Sequence, residues 1–524
     1  MNRKKTLSAI LAGALIVSAL AGCGGNKETN TADVGKGSQP DLAYKVSDEP
    51  IELSFFYAGL NGTTPFEDDY PVFVEAARLT NVTLKGTVPT TNSDPIQAFN
   101  TLMASGKLDD VVVTYKDDFD KYAGQGAFIP LDDLIEQYAP NLKAFLEDHP
   151  DIKKGITSFD GHIYCIPYIQ DGETAKGWYI RQDWLDKLNL SVPTTIDEYY
   201  NVLKAFKEQD PNGNGVADEV PFFDREANLN AIYNLCGIRK EFSVDPDTGK
   251  VVYGKYTPEF KDAVTTAAQW YKEGLIDQEI FTRGANAREE LLGNNIGGTT
   301  HDWFTSTSSY NDKLKDSVPG INFAAIAPPA DKNGKVWEDT TRTGAYVGWG
   351  ISSTNKHPEE TIKYFDFWFT DFGRTLFNYG IEGQQYTLVD GKPVYTDKIL
   401  NSTKSMTATW NENGINLYIG GWQDFNAERQ FMSAEALEGM DLYTNNNYIL
   451  DAFPQLSFSE EERKTISDKY PAVVSYIEEQ EQKWILGTED IDSTFDTYMA
   501  NCRTLGMDDV MKVYNDAYQR YLNN

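Results

Sequence analysis

Between Ile51 and Thr114 the chain alternates strand and helix patterns, and this limits the fold more than any other feature of the sequence. Ile51, Leu53, Phe55 and Tyr57 fall at every second position, as in a strand with one buried face. Pro71 to Leu79 has helical spacing, and Val82–Val88 reads as a second strand. Asp94-Pro95 supplies an N-cap and a first-turn proline for a helix carrying Ile96, Phe99 and Met103, which Gly106 ends. Asp110–Thr114 is then a short buried strand. Strands joined by helices rather than tight turns pair parallel, so this stretch is an α/β unit on a largely parallel sheet.

The same patterns recur downstream. Strands are predicted around His162–Tyr168, Gly177–Arg181, Ile296–Trp303, Asn322–Ile326 and Tyr346–Ser352. Thr195-Ile196-Asp197-Glu198 is a capping box for a helix that buries Tyr199, Leu203 and Phe206. A second helix runs from Thr257-Pro258 to Gly274, and Pro358–Thr370 is an aromatic-rich helix. Asp390-Gly391 marks a small hairpin, and most of the remainder to Tyr521 is helical. Trp184, Trp270 and Trp368 sit on helices at apolar spacing and belong to the core. About 480 residues beyond the leader and linker imply two or more domains or lobes.

One loop stands apart. Asp210, Asn212, Asn214 and Asp218 carry side-chain oxygens at alternating positions, Glu219 follows, and the Val216 carbonyl fills the remaining step. Ca²⁺ takes about six to eight oxygens in a flexible cage, and Gly213 and Gly215 permit tight wrapping. The loop begins like an EF-hand but has Pro221 where that motif places its bidentate glutamate. An Asn/Gly-rich turn without metal is the alternative. All the ligands come from one local segment, so the expected role of calcium is structural.

The chain opens with Arg3, Lys4 and Lys5, an apolar run from Leu7 to Leu20, and Leu20-Ala21-Gly22-Cys23. That is a secretory leader over residues 1–22, too short to span a membrane comfortably, and its end resembles the bacterial lipobox. The resemblance implies lipidation of Cys23, which tethers the chain to the membrane through a flexible linker over residues 23–47. With 47 Lys+Arg against 79 Asp+Glu the net charge is −32. This excludes nucleic acid as a partner, since phosphates need a basic footprint. Cys165, Cys236 and Cys502 are odd in number and far apart, unlike a disulfide framework.

Three further stretches carry a family likeness. They are Ala104-Ser105-Gly106-Lys107-Leu108-Asp109-Asp110-Val111, Asp160–Tyr168, and Tyr179-Ile180-Arg181-Gln182-Asp183-Trp184-Leu185 with Val192-Pro193-Thr194-Thr195. Together with the lipobox they resemble the extracellular solute-binding proteins of ABC importers, in particular the LipO-like lipoproteins related to alginate-oligosaccharide binders. In the alginate binders a calcium loop follows the equivalent helix, and Asp210, Asn212, Asn214, Val216, Asp218 and Glu219 match its pattern. The resemblance implies a type II periplasmic-binding-protein-like α/β fold: two lobes joined by hinge segments, with the ligand in the cleft between them. The expected division is 48–168 with about 305–360 for the N-terminal lobe. The C-terminal lobe is then 169–304 with about 361–524.

A carbohydrate, most simply an oligosaccharide, is the expected ligand, delivered to ABC permease subunits by a monomeric receptor on the outer face of the cell membrane. A sugar cleft needs flat aromatics beside amides, carboxylates or arginine. Trp303, Trp422, Trp349, Tyr57 and Glu382 are the candidates, with core packing as the alternative for each aromatic. A peptide receptor of the same fold is a second reading, because fold does not fix ligand. A secreted glycan-active enzyme is a third. No Gly-x-Ser-x-Gly, His-Glu-x-x-His or Walker loop occurs, and four histidines leave little material for a triad or zinc site, so no catalytic residue is assigned.

Overall fold

The computed structural model describes residues 44–60, 63–89, 94–239, 241–342 and 347–523. Cys23, the leader and most of the linker lie outside the described residues.

The opening alternation folds as its periods require. Strand Ile51–Phe56, helix Pro71–Thr80, strand Val82–Gly86, helix Pro95–Ser105 and strand Val111–Tyr115 follow one another. Asp94 caps its helix by accepting from the Ile96 and Gln97 N–H groups at 3.0 Å each. Ile51–Phe56 pairs parallel with both Val82–Gly86 and Val111–Tyr115. Val347–Ile351 then joins antiparallel to Val111–Tyr115, Ile166–Ile169 joins antiparallel to that, and Gly421–Trp422 completes the edge. This six-stranded sheet is covered by a core that includes Leu53, Phe73, Val111, Trp349, Phe365, Trp368, Phe377 and Trp410.

A second sheet runs in the order Phe323–Ile326, Lys176–Arg181, Gly297–Trp303, Val220–Phe222. Its outer core gathers Trp178, Trp184, Tyr199, Phe206, Phe260 and Trp270 with residues of the last three helices, Glu460–Ile485, Ile491–Leu505 and Met507–Asn523. The helix Ile196–Glu208 belongs here, but its capping box is only half formed. Thr195 Oγ1 accepts from the Glu198 N–H, whereas Glu198 accepts from the N–H and hydroxyl of Thr194.

The chain therefore passes between the two sheets three times, after Ile169, after Ile326 and after Trp422. The expected division needs correction on this point. Helix Phe304–Leu314 and strand Phe323–Ile326 belong with the second sheet, where Phe304, Tyr310 and Phe323 pack around Tyr179 and Tyr443. Helices Pro358–Phe367 and Asp371–Tyr379 and the hairpin Tyr386–Tyr395 belong with the first, where Phe365 lies parallel to Trp349 with ring centroids 4.4 Å apart. The apolar face of each was legible, but periodicity does not say against which sheet a face packs. Cys165, Cys236 and Cys502 are buried free thiols. No helix among the described residues is long and apolar enough to cross a membrane.

The C-terminal segment also touches the first body. Ser457 donates to Asp120 at 2.6 Å, and Asp120 is itself buried in a 2.6 Å ion pair with Lys116. Arg463 donates to the Asp120 carbonyl at 3.3 Å.

Candidate functional site

A cavity of about 730 Å³ opens between the two bodies. The first sheet's side contributes Thr63, Tyr168 and the stretch from Lys404 to Tyr418; the second contributes Trp303 to Ser306 and Met440; the crossings contribute Gln170, Thr174, Thr341, Arg342, Gln423 and Glu428. Its size lies within the range of about 300–1,000 Å³ usual for sites that enclose a small molecule.

Trp303 ends the strand Gly297–Trp303 and precedes the helix Phe304–Leu314, so the backbone turns at the indole. The turn is anchored from below. Buried Asp302 accepts from the Trp303 N–H at 2.8 Å and binds Arg225 at 2.7 Å and Arg288 at 3.1 Å. Arg288 in turn donates to Ser306 at 2.7 Å and Thr307 at 2.9 Å. Such a paired, hydrogen-bonded carboxylate holds a backbone corner in place, because removing either partner strands a buried charge. The indole above it is 41% exposed, with the Lys176 ammonium 5.9 Å from the ring centroid.

Opposite, Tyr168 and Tyr418 pack with ring centroids 4.9 Å apart, and Trp410 meets Phe431 edge-on at 5.8 Å. Tyr57 lies one layer below. It is 0% exposed, and its hydroxyl sits 2.6 Å from Thr63 Oγ1, which lines the cavity. Burial pushes the Tyr57 phenol well above its ordinary range. At the crossings Arg342 Nη2 lies 3.6 Å from Glu428 Oε2, its guanidinium is 4.8 Å from the Phe425 ring, and Gln423 donates to Glu428 at 3.1 Å. Arg374 binds Asp171 at 2.6 Å and the Gln423 carbonyl at 2.9 Å, linking the first crossing to the third. Gly172, in that first crossing, has φ +75°, and a Cβ there would meet Phe425 at 2.5 Å, so close passage of the two segments requires glycine.

Of the aromatics expected in the cleft, the structure brings only Trp303 to its lining. Trp349 is 0% exposed and part of the first core: alternation along Val347–Ile351 sends it onto Phe365. Tyr57 is likewise core, and its hydroxyl meets Thr63 of the cavity lining. Trp422 is half-buried, with the Arg374 guanidinium 3.4 Å from its ring centroid and Phe145 at 4.9 Å, and it is not among the lining residues. Glu382 is exposed before the hairpin and also outside the lining. Tyr418, Arg342, Glu428 and Asn416 were missed. Asn411, Asn413 and Asn416 beside Tyr418 formed an amide–aromatic cluster that was the available signal.

The acidic loop follows helix Ile196–Glu208 on the second body, away from the cleft lining. Asp210 accepts from the N–H groups of Gly213, Asn214 and Gly215 at 2.9, 3.1 and 3.0 Å. The amide nitrogens of Asn212 and Asn214 turn toward Asp218, at 3.3 and 3.1 Å. Glu219 is 1% exposed, and the nearest N–H groups, its own and that of Asn212, do not reach hydrogen-bonding geometry with its carboxylate oxygens. Burial, with Asp218 and Asp210 adding to it, raises its pKa. Among the described residues no three His, Cys, Asp or Glu side chains converge as a metal site. The loop's donors are nonetheless all hard oxygens, and an orphaned buried carboxylate is what a cation would satisfy.

A family model described as bacterial extracellular solute-binding protein matches residues 67–374. The chain is 27% identical to the fructooligosaccharide ABC transporter substrate-binding protein FusA of Streptococcus pneumoniae serotype 4, over 82% of this chain and 84% of that protein. A solved FusA structure with kestose covers 90% of this chain and 100% of its own at 25% identity, with a TM-score of 0.69. The polygalacturonan/rhamnogalacturonan-binding protein YtcQ of Bacillus subtilis is 26% identical over 75% of this chain and 74% of its own length. The structure of alginate-binding protein AlgQ2 without calcium ion matches 91% of this chain and 99% of its own at 40% identity and a TM-score of 0.73.

Proposed function

The chain belongs to the bacterial extracellular solute-binding proteins, and on that premise we propose that it is the membrane-tethered receptor of an ABC importer that captures a short oligosaccharide. The observation that carries this reading is the cavity between two α/β bodies, with exposed Trp303 on one wall and Tyr418, amides and hydroxyls on the other. An indole face suits the C–H face of a sugar ring, and the surrounding Thr, Ser, Asn and Gln groups suit its hydroxyl edge. In this reading the first lobe is built on the six-stranded sheet and the second on the four-stranded sheet with the C-terminal helices, and the three crossings are the hinge. Lipidated Cys23 holds the receptor on the outer face of the cell membrane, and permease subunits accept the ligand from it. The protein binds without catalysis.

Titration of the purified protein with short oligosaccharides, read by thermal melting and calorimetry, tests this. A sugar at a hundredfold its Kd should add about 2.7 kcal/mol to stability and be recovered intact. Stabilisation by peptides alone, or catalytic cleavage abolished by a carboxylate substitution, sinks the proposal.

We further propose that Asp210, Asn212, Asn214, Asp218 and Glu219, with the Val216 carbonyl, hold a structural Ca²⁺. The support is the unpartnered buried carboxylate of Glu219. Chelation should lower the melting temperature and leave sugar affinity, measured well below it, unchanged. The sign of the pH effect follows from the direction of the Glu219 shift. A carboxylate whose folded pKa is raised costs no stability below its unfolded pKa and costs most above its folded one. In the metal-free protein the contribution of Glu219 should therefore turn unfavourable as pH rises above about 4.3, the ordinary glutamate value, which shows as a difference between wild type and Glu219→Gln. Glu219→Gln should remove that loss together with much of the response to calcium. An unchanged melting temperature on chelation rejects the site.

A further inference from the structure

The cavity also carries information about the charge of its ligand, and this deepens the oligosaccharide reading on which it rests. Arg342, Lys404 and Glu428 are the Lys, Arg, Asp and Glu side chains among the lining residues. Each cation already faces a carboxylate of the chain. Arg342 is 3.6 Å from Glu428, and Lys404 is paired with Glu412 outside the cavity. The remaining polar lining consists of hydroxyls and amides such as Thr305, Ser306 and Asn416.

An acidic saccharide brings a carboxylate on each uronate ring. Taking those charges out of water requires cations free to make charge-assisted, preferably bidentate, hydrogen bonds. A uronate would add its charge to a lining whose two cations are already balanced by carboxylates of the chain, and the −32 net charge of the chain opposes approach of a polyanion from solution. Arg342 is nevertheless a useful donor. Its Nε and Nη2 groups are buried without a hydrogen-bond acceptor, held by Glu428 on one side and by the face of Phe425 on the other. Neutral hydroxyl oxygens can accept from such a group without adding net charge to the cleft.

We propose that the ligand is an uncharged oligosaccharide, and that Glu428 determines this specificity by neutralising Arg342, leaving it a donor to hydroxyls rather than a clamp for carboxylates. The test titrates the calcium-loaded protein with uncharged fructo-, xylo-, malto- and manno-oligosaccharides and with oligogalacturonides and oligoalginates, at low and high salt. At least one uncharged sugar should bind with little dependence on salt, because no net charge is exchanged. Acidic sugars should bind at least about 100-fold more weakly, a difference of about 2.7 kcal/mol. Glu428→Gln should narrow that gap by strengthening acidic sugars, with circular dichroism confirming the fold. An acidic sugar that binds the wild-type chain more tightly than every uncharged one, with affinity falling as salt rises, overturns this inference and leaves the carbohydrate receptor standing. An unchanged preference in folded Glu428→Gln removes Glu428 from the role. Peptide binding only, or no sugar of either class, overturns the carbohydrate reading itself and this inference with it.

Discussion

Replacing Trp303 by alanine should weaken oligosaccharide binding by about 2 kcal/mol or more, roughly a 30-fold rise in Kd, while the melting temperature of the ligand-free protein hardly moves. The two halves of that expectation have separate causes. The indole is 41% exposed, so truncation removes little buried area from the fold. The corner that presents it is held by backbone and by Asp302, Arg225 and Arg288, none of which depends on the indole. What is lost is a flat apolar surface in the cavity wall, and aromatic platforms of that kind carry a large share of binding energy when a ligand covers them. Calorimetric titration of the variant with the best wild-type sugar checks it. Unfolding would place Trp303 in the core, and unaltered affinity would remove it from the site.

Trp349→Ala should do the reverse, destabilising the protein by about 3–5 kcal/mol as a large core truncation does. The indole is fully buried, lies parallel to Phe365 at 4.4 Å and meets Phe55 edge-on at 6.4 Å. It also presses on backbone: a Cβ at Gly420 would meet Trp349 Nε1 at 2.1 Å. The void would therefore be lined by parts of a sheet and a loop that cannot collapse into it, which puts the cost near the top of the range. Thermal and denaturant melts read this directly. Binding measured where the variant remains folded should stay close to wild type, since the indole is not part of the cleft lining.

These two tryptophans also show how far the sequence could be read. Both end or occupy a strand and have glycines nearby, so their local contexts look alike. What separates them is which face of which sheet each strand presents, a property of partners distant in the chain. The alternating unit from Ile51 to Tyr115 was legible because every choice in it is local: a period, a cap, a terminating glycine. The division into bodies was not, because Phe323–Ile326 finds its place only by pairing with Trp178–Arg181, and nothing within the segment records that edge. Glycines 420 and 421 precede Trp422 directly. They are small because Trp349 and Phe377 lie against them, and Trp422 itself is covered by Arg374 and Phe145. Arg342 and Glu428 could not be paired in advance, since they come from different crossings and only the folded chain brings them within 3.6 Å.

The triple passage of the backbone between the two sheets has a mechanical consequence. A single covalent strap would let its two bodies twist freely and would be severed by one proteolytic cut. Three straps side by side suppress twist and leave one easy rotation, like the pins of a door hinge. A nick in any one of them leaves two peptide connections, and the Ser457–Asp120 contact provides a further noncovalent stay. A receptor exposed outside the cell, where proteases circulate, would thus keep its two walls in register after a first cleavage and could still close on its ligand.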